Sequence, residues 1–291
     1  MTSIRPRRSV LYMPGSNARA IEKAKTLAAD ALILDLEDAV APESKELARK
    51  QVCEAVKTGG FGKRELVIRV NGLWTQWGEE DLSAAIAAMP DAILVPKVSS
   101  AADLQAIEER FSGHDTGRKI AIWAMMETPL AVLNAAQIAS AGGRLRCFVM
   151  GTNDLIKEFR GQHTPDRANL AAALGISMAA ARAYGLVAID GVYNDIQNAT
   201  GFVDSCKQAR SYGFDGKTLI HPSQIEPCND VFAPSPAEVE AAQRIIAAFD
   251  LPENKGKGAI SLDGRMVELL HAEIARQTVA MADAIAAQQD L

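Results

Sequence analysis

Eight short apolar runs, each ending on polar or charged residues and each followed by a stretch of helical character, predict an α/β protein built as a closed (β/α)8 TIM barrel. Two further observations narrow the choice. The runs are dominated by Val, Ile, Leu and Ala with no regular polar alternation, as parallel strands covered on both faces require. An open dinucleotide-binding sheet would place G-x-G-x-x-G after the first strand, and the sequence there reads Met13-Pro14-Gly15-Ser16-Asn17.

Taken in order, residues 9–13 form the first strand, stopped by Pro14-Gly15, and an amphipathic helix runs to Leu27. Residues 31–34 end in Asp35-Leu36-Glu37-Asp38, and Pro42-Glu43 opens a helix to about Val56. Residues 66–68 end in Arg69, with a helix over 80–89. Residues 92–95 end in Pro96-Lys97, with a helix over 101–111. The fifth run, from Ile120, ends in Met126-Glu127-Thr128-Pro129 before an alanine-rich helix. The sixth, around Phe148, ends in Gly151-Thr152-Asn153-Asp154, where a polar insertion over 160–167 is expected to delay the next helix to 168–184. Residues 186–189 end in Asp190, and 216–220 end in His221-Pro222. These units make a barrel of residues 1–233. Residues 234–291 read as a helical extension: a helix over 236–249, a Gly and Lys linker over 252–258, and one long helix over 267–288.

The chain has 291 residues, 48% of them hydrophobic, which suffices for one large core with an appendage. A net charge of −5 argues against nucleic acid as a bulk partner, since tracking phosphates needs a basic excess. No stretch reads as a signal peptide or membrane span. Four scattered cysteines, Cys53, Cys147, Cys206 and Cys228, fit a reduced, cytoplasmic protein.

In such a barrel the loops after the strands share one face, so the strand ends belong to one site. Asp35, Glu37, Asp38, Arg69, Lys97, Glu127, Asp154, Asn194, Asp195 and His221 are brought there. Glu127 and Asp154, at the ends of consecutive parallel strands, suit Mg²⁺ through oxygen-only ligation. The competing reading has both carboxylates merely starting the helices that follow. Arg69 and Asp38 are candidate catalytic groups, and Arg69, Glu127 and Gly151-Thr152-Asn153-Asp154 are candidate substrate contacts. Lys97 is expected to balance carboxylate charge and His221 to start a helix, while part of the 35–38 acidic run holds Arg69 and Lys97. A cation, an arginine and a ring of carboxylates suit a reaction that polarises a carbonyl or alkoxide while a carbon–carbon bond breaks or forms.

The runs 8–16 (RSVLYMPGS), 29–42 (ADALILDLEDAVAP), 68–71 (IRVN), 94–97 (LVPK), 126–128 (MET), Gly151-x-x-Asp154, 213–217 (GFDGK) and 220–225 (IHPSQI) resemble the coenzyme A ester lyases. That group includes the citrate lyase β subunit, malyl-CoA lyase and citramalyl-CoA lyase. The resemblance implies Mg²⁺ on Glu127 and Asp154, an active-site Arg69, and a homotrimer or hexamer. It also implies a C-terminal lid, after a Lys-Gly-Ala linker, that covers a neighbouring subunit's site and carries an acid/base aspartate. Lys257-Gly258-Ala259 matches the linker, and the aspartate's position holds Glu268, with Asp263 as an alternative carboxylate. Asn17 stands where some relatives carry a basic residue toward the coenzyme, and Lys23 in the next helix remains as the candidate coenzyme contact.

The function expected is Mg²⁺-dependent cleavage of a 3-hydroxyacyl-CoA carboxylate, malyl-CoA or citramalyl-CoA, to an acyl-CoA and a 2-oxo acid (glyoxylate or pyruvate). Hydrolysis of the same thioesters, action on a carrier-protein thioester within a citrate lyase, and a non-enzymatic sensor or scaffold are the alternatives.

Overall fold

In a computed structural model that describes residues 4–112 and 120–289, eight strands close into a parallel barrel in chain order. They are β1 (Ser9–Pro14), β2 (Ala31–Asp35), β3 (Glu65–Arg69), β4 (Ala92–Val95), β5 (Ala121–Met126), β6 (Leu145–Met150), β7 (Val187–Asp190) and β8 (Gly216–Leu219). β8 returns to pair with β1, Leu11 against Leu219, so no edge is left open. The register sets Pro14 beside Asp35, Asp35 beside Arg69 and Met126 beside Met150, which brings the strand ends, and the loops that leave them, to one rim.

Both faces of each strand are apolar because each faces a different packed layer. Val10, Ile33, Val67, Leu94, Trp123, Val149 and Ile189 fill the barrel interior. Their neighbours in sequence, among them Leu11, Leu32, Leu34, Ile68, Ile93 and Phe148, turn outward onto the helices. Those helices are α1 (Ala18–Ala24), α2 (Lys45–Thr58), α3 (Gly78–Ala88), α4 (Ala101–Arg110), α5 (Pro129–Leu133), α6 (Ala135–Ala139), α7 (Thr152–Glu158), α8 (Ala171–Ala183), α9 (Ala199–Tyr212) and α10 (Ile225–Phe232). Local signals fix several starts. Ser100 and Asp103 form a capping box on α4, and Thr128 caps α5 with Pro129 in its first turn.

Two expectations for the barrel's helices need correction. The alanine-rich helix after β5 is two short helices that meet at Asn134, whose side-chain amide donates to the Ser99 carbonyl. The helix expected over 168–184 is present as α8, but a short helix precedes the polar insertion: α7 begins at Thr152 and places Asp154 in its first turn.

Residues 7–232 form one compact unit, and the chain from Ala233, together with the described residues before Arg7, forms a second. The second unit holds α11 (Pro236–Asp250), an antiparallel hairpin of β9 (Ala259–Leu262) and β10 (Arg265–Glu268), and α12 (Leu269–Gln289). Phe249, Ile260 and Ala272 make its small core. The predicted single helix over 267–288 is therefore wrong at its start, where Val267 and Glu268 are strand residues. The cause is the Asp263-Gly264 pair, both at positive φ (51° and 75°), which joins two strands in the manner of a two-residue hairpin turn. No helix among the described residues is long and apolar enough to cross a membrane.

On the outer face of the barrel, beneath its helices, β7 and β8 are tied by a buried ion pair: Lys217 Nζ donates to Asp190 Oδ2 at 2.6 Å, both side chains being fully buried. Arg167 Nη1 adds 2.8 Å hydrogen bonds to both Asp190 oxygens. Burial would raise the Asp190 ionisation, but Lys217 and Arg167 outweigh it and hold the carboxyl below its ordinary range. Asp190→Asn should leave two cations without their counter-charge and cost about 3–5 kcal/mol. Denaturant unfolding would measure this, and the double change Asp190→Leu with Lys217→Met should cost less than the single one. A single variant as stable as the parent would show that the pair contributes nothing.

Candidate active site

A cavity of about 310 Å³ opens at the strand-end rim of the barrel. Tyr12, Asp35, Asp38, Arg69, Glu127 and Asp154 line it, with the backbone turn Gly151-Thr152-Asn153 between the last two. Every candidate catalytic, metal or substrate residue of the barrel is thus in one wall system. Glu268 belongs to the second unit, at the exposed end of β10, where its N–H donates to His271 Nδ1 at 3.0 Å.

Arg69 is the most constrained of these groups. Asp35 takes its Nε and Nη2 in a two-pronged pair, 2.6 Å each. The same carboxylate accepts the backbone N–H of Glu37 at 2.9 Å and of Ala39 at 3.0 Å, so one side chain fixes both the guanidinium and the acidic loop. Nη1 reaches Glu37 Oε2 at 2.8 Å and the exposed Asp38 Oδ2 at 3.5 Å. The ring of Tyr12 lies 4.8 Å beneath the guanidinium carbon. Burial disfavours the arginine's charge, yet Asp35 more than compensates, so Arg69 stays cationic. Burial, followed by repulsion from Asp38 and other carboxylates against the pull of Arg69, pushes Glu37 up to about 8.

Glu127 and Asp154 face each other across Lys97. The Lys97 N–H donates to Glu127 Oε1 at 2.8 Å, and its Nζ lies 3.3 Å from Asp154 Oδ1. Lys97 achieves this in a left-handed backbone conformation, φ 49°, which is costly outside glycine and marks a local constraint. Gly151 is required by close approach: a Cβ there would run into Glu127 Cβ and Oε2. Burial, then repulsion from Asp154, raises Glu127 to about 7. Two carboxylates that repel in a buried wall are a donor set that fits a hard divalent cation. Among the described residues no three His, Cys, Asp or Glu side chains converge, so such an ion would complete its shell with water and ligand oxygens, as Mg²⁺ commonly does.

The reading of these two acids as helix starters holds only in part. Asp154 does lie in the first turn of α7, but Glu127 caps nothing; Thr128 does so instead. His221 starts its helix as expected, accepting the Ser223 N–H at 3.2 Å. Asn194 is paired amide to amide with Asn153 at 2.8 and 3.1 Å, at the border with a second cavity of about 670 Å³ that Asn194 and Asp195 line. Lys97 is held by Asp154, whereas the acidic run holds Arg69 and no ion pair joins it to Lys97 among the described residues. Lys23 is exposed on α1 and is not among the cavity residues.

Sequence reasoning missed a buttress. Lys45 Nζ donates to the carbonyls of Leu36 (2.8 Å) and Glu37 (2.7 Å) and to Asn71 Oδ1 (2.9 Å), and Asn71 is gripped in turn by the fully buried Asp81. A lone lysine in the first turn of a helix gives no hint of this. Asn71 had a signal, since it closes the run 68–71.

A family profile described as HpcH/HpaI aldolase/citrate lyase matches residues 8–222. A protein named (3S)-malyl-CoA thioesterase from Cereibacter sphaeroides (strain KD131 / KCTC 12085) is 52% identical over 97% of this chain and 96% of its own. Citrate lyase subunit beta of Escherichia coli (strain K12) is 36% identical over 91% and 89%. Among solved structures, CitE from Mycobacterium tuberculosis in complex with magnesium, acetoacetate and coenzyme A superposes with a TM-score of 0.73 at 29% identity, covering 93% of this chain and 97% of that one.

The raised Glu127 gives a pH dependence with a definite sign. Near pH 7 the carboxyl is partly protonated, and a divalent ion held there would take the ionised form. Cation affinity should therefore climb as pH rises through about 7 and level off above it, with proton release on binding. Calorimetry in buffers of different ionisation enthalpy would detect that release; affinity independent of pH from 6 to 8 would contradict it.

Proposed function

Because the chain belongs to the HpcH/HpaI aldolase/citrate lyase family, we propose that it is a Mg²⁺-dependent enzyme acting on 3-hydroxyacyl-CoA carboxylates of the malyl-CoA type, breaking the carbon–carbon bond to give an acyl-CoA and a 2-oxo acid. The observation that carries this reading is the placement of a rigidly held arginine and two facing carboxylates in one small cavity. Glu127 and Asp154 would hold the metal, which when bound supplies a Lewis acid for the oxygens of the 2-hydroxy or 2-oxo acid. Lys97 orients both carboxylates. Gly151 lets the wall close on Glu127, and Thr152 and Asn153 present the turn along which the small acid lies. Arg69, locked by Asp35, is aimed at negative charge that develops on the thioester oxygen, and Asp38 at its open side contacts the substrate.

Hydrolysis of the same thioester is a second reading. The 52% identity over nearly the full length to proteins named (3S)-malyl-CoA thioesterase favours it for the net reaction. Both reactions place charge on the thioester oxygen, so the same arginine serves either. Incubation of the purified protein with (3S)-malyl-CoA and Mg²⁺, followed by mass analysis, separates them: acetyl-CoA with glyoxylate marks cleavage, and free coenzyme A with malate marks hydrolysis. Cleavage followed by hydrolysis would show glyoxylate first. No product from malyl-CoA or citramalyl-CoA would end both readings.

The acid/base and the assembly complete the proposal. Glu268 transfers the proton, from a C-terminal unit that acts on a neighbouring subunit in a homotrimer or hexamer, and Lys23 reaches the coenzyme. The exposed position of Glu268 at the end of β10, where the resemblance implies an acid/base residue, supports this. Glu268→Gln should lower turnover on the order of 10²–10⁴-fold. Mixing inactive Arg69→Lys with inactive Glu268→Gln subunits should restore part of the activity. Dead mixtures from demonstrably exchanging subunits would refute action in trans, and full activity of Asp263→Asn with Glu268→Gln would remove both carboxylates from the mechanism.

A further inference from the structure

The hydroxyl of Tyr12 is not used by anything described so far. Tyr12 is near the end of β1, with its ring under the Arg69 guanidinium and against the interior barrel layer. Among the described residues its only hydrogen-bond partner is the thioether sulfur of Met125, at 4.0 Å. Arg69 Nη1 approaches the same sulfur at 3.8 Å. Two strong donors thus meet on one weak acceptor, and Tyr12, Arg69 and Met125 all line the cavity that holds Glu127 and Asp154. A phenol that spends its proton on a sulfur has most of its hydrogen-bonding capacity unspent, and a better acceptor would take it.

We infer that Tyr12 is a second catalytic donor, its hydroxyl joining Arg69 Nη1 on the thioester oxygen of the substrate. This rests on the proposed action on a CoA ester but holds for either outcome of it. In cleavage, the hydroxyl proton leaves to the base, the pair of electrons from the bond between the α carbon and the hydroxyl-bearing carbon moves into the thioester as an enolate, and the base returns the proton to the α carbon. In hydrolysis, water adds to the thioester carbon as one of its protons leaves to the base, the carbonyl π pair moves onto oxygen, and it returns as the thiolate departs and takes that proton. In both, the thioester oxygen gains charge that the ground state lacks, so donors waiting there lower the barrier without tightening the substrate. Tyr12 only donates a hydrogen bond. Burial keeps its ionisation far above the ordinary phenol range, so the proton is in place at neutral pH.

Tyr12→Phe keeps the ring under Arg69 and removes the oxygen. With (3S)-malyl-CoA and Mg²⁺, kcat should fall on the order of 10²-fold while KM changes little. Affinity for an acetyl-CoA analogue whose thioester carbonyl is replaced by a carboxylate should fall in parallel, and Mg²⁺ affinity by calorimetry should not move. An unchanged kcat and analogue affinity would overturn the assignment, as would a rise in KM alone. A loss of Mg²⁺ binding together with kcat would make Tyr12 a structural support, which also overturns it. If the parent protein turns over neither malyl-CoA nor citramalyl-CoA, the proposed function falls and takes this assignment with it. If the parent is active and Tyr12→Phe matches it, only the assignment falls.

Discussion

The pairing of Asp35 with Arg69 is the constraint from which the site is built. The two residues are direct neighbours in the β2–β3 register, and their side chains meet above the barrel interior in a two-pronged ion pair. A buried guanidinium is tolerable only because one carboxylate cancels its charge. That carboxylate is tolerable only because Arg69 and two backbone N–H groups satisfy its oxygens. The acidic loop 36–38 inherits its shape from this bargain, and Lys45, Asn71 and Asp81 seal it from the helix side. What Asp35 leaves of Arg69 is Nη1, which faces Glu37 and Asp38 at the rim of the cavity.

The opposite wall works by repulsion. Glu127 and Asp154 are brought together by consecutive parallel strands, and burial, with the repulsion of that closeness added to it, raises the Glu127 carboxyl to about 7. Arg69 is preorganised and needs nothing further; the acid pair is under-compensated and awaits a positive charge. A cation held at the acid pair, as proposed, would relieve the charge that Lys97 leaves uncompensated there.

Much of this was legible in the residues. Eight strand ends could be read from apolar runs, and the barrel's geometry then gathers their polar termini without any further information. Arg69, Glu127 and Asp154 are visible that way. Tyr12 and Met125 are not, because strands buried on both faces look the same at inward and outward positions, and nothing in Ser9 to Pro14 says which residue reaches the cavity floor. Lys45 was hidden for another reason, since its partners are carbonyls of a loop whose path no pattern reveals. The C-terminal hairpin was the avoidable miss. Asp263-Gly264 between two short runs is a strong hairpin signal, and the alanine-rich stretch that follows drew the helix too far forward.

At Lys97 the group that orients Glu127 is a peptide N–H, and the side chain serves the neighbouring acid instead. The two duties are chemically separable within one residue. Any amino acid except proline retains the first, and glycine or asparagine would hold the left-handed turn with less strain. Position 97 is therefore a point where the charge felt by Asp154 can be exchanged, lengthened or abolished while Glu127 keeps its aim, an adjustable dial set into an otherwise interlocked wall.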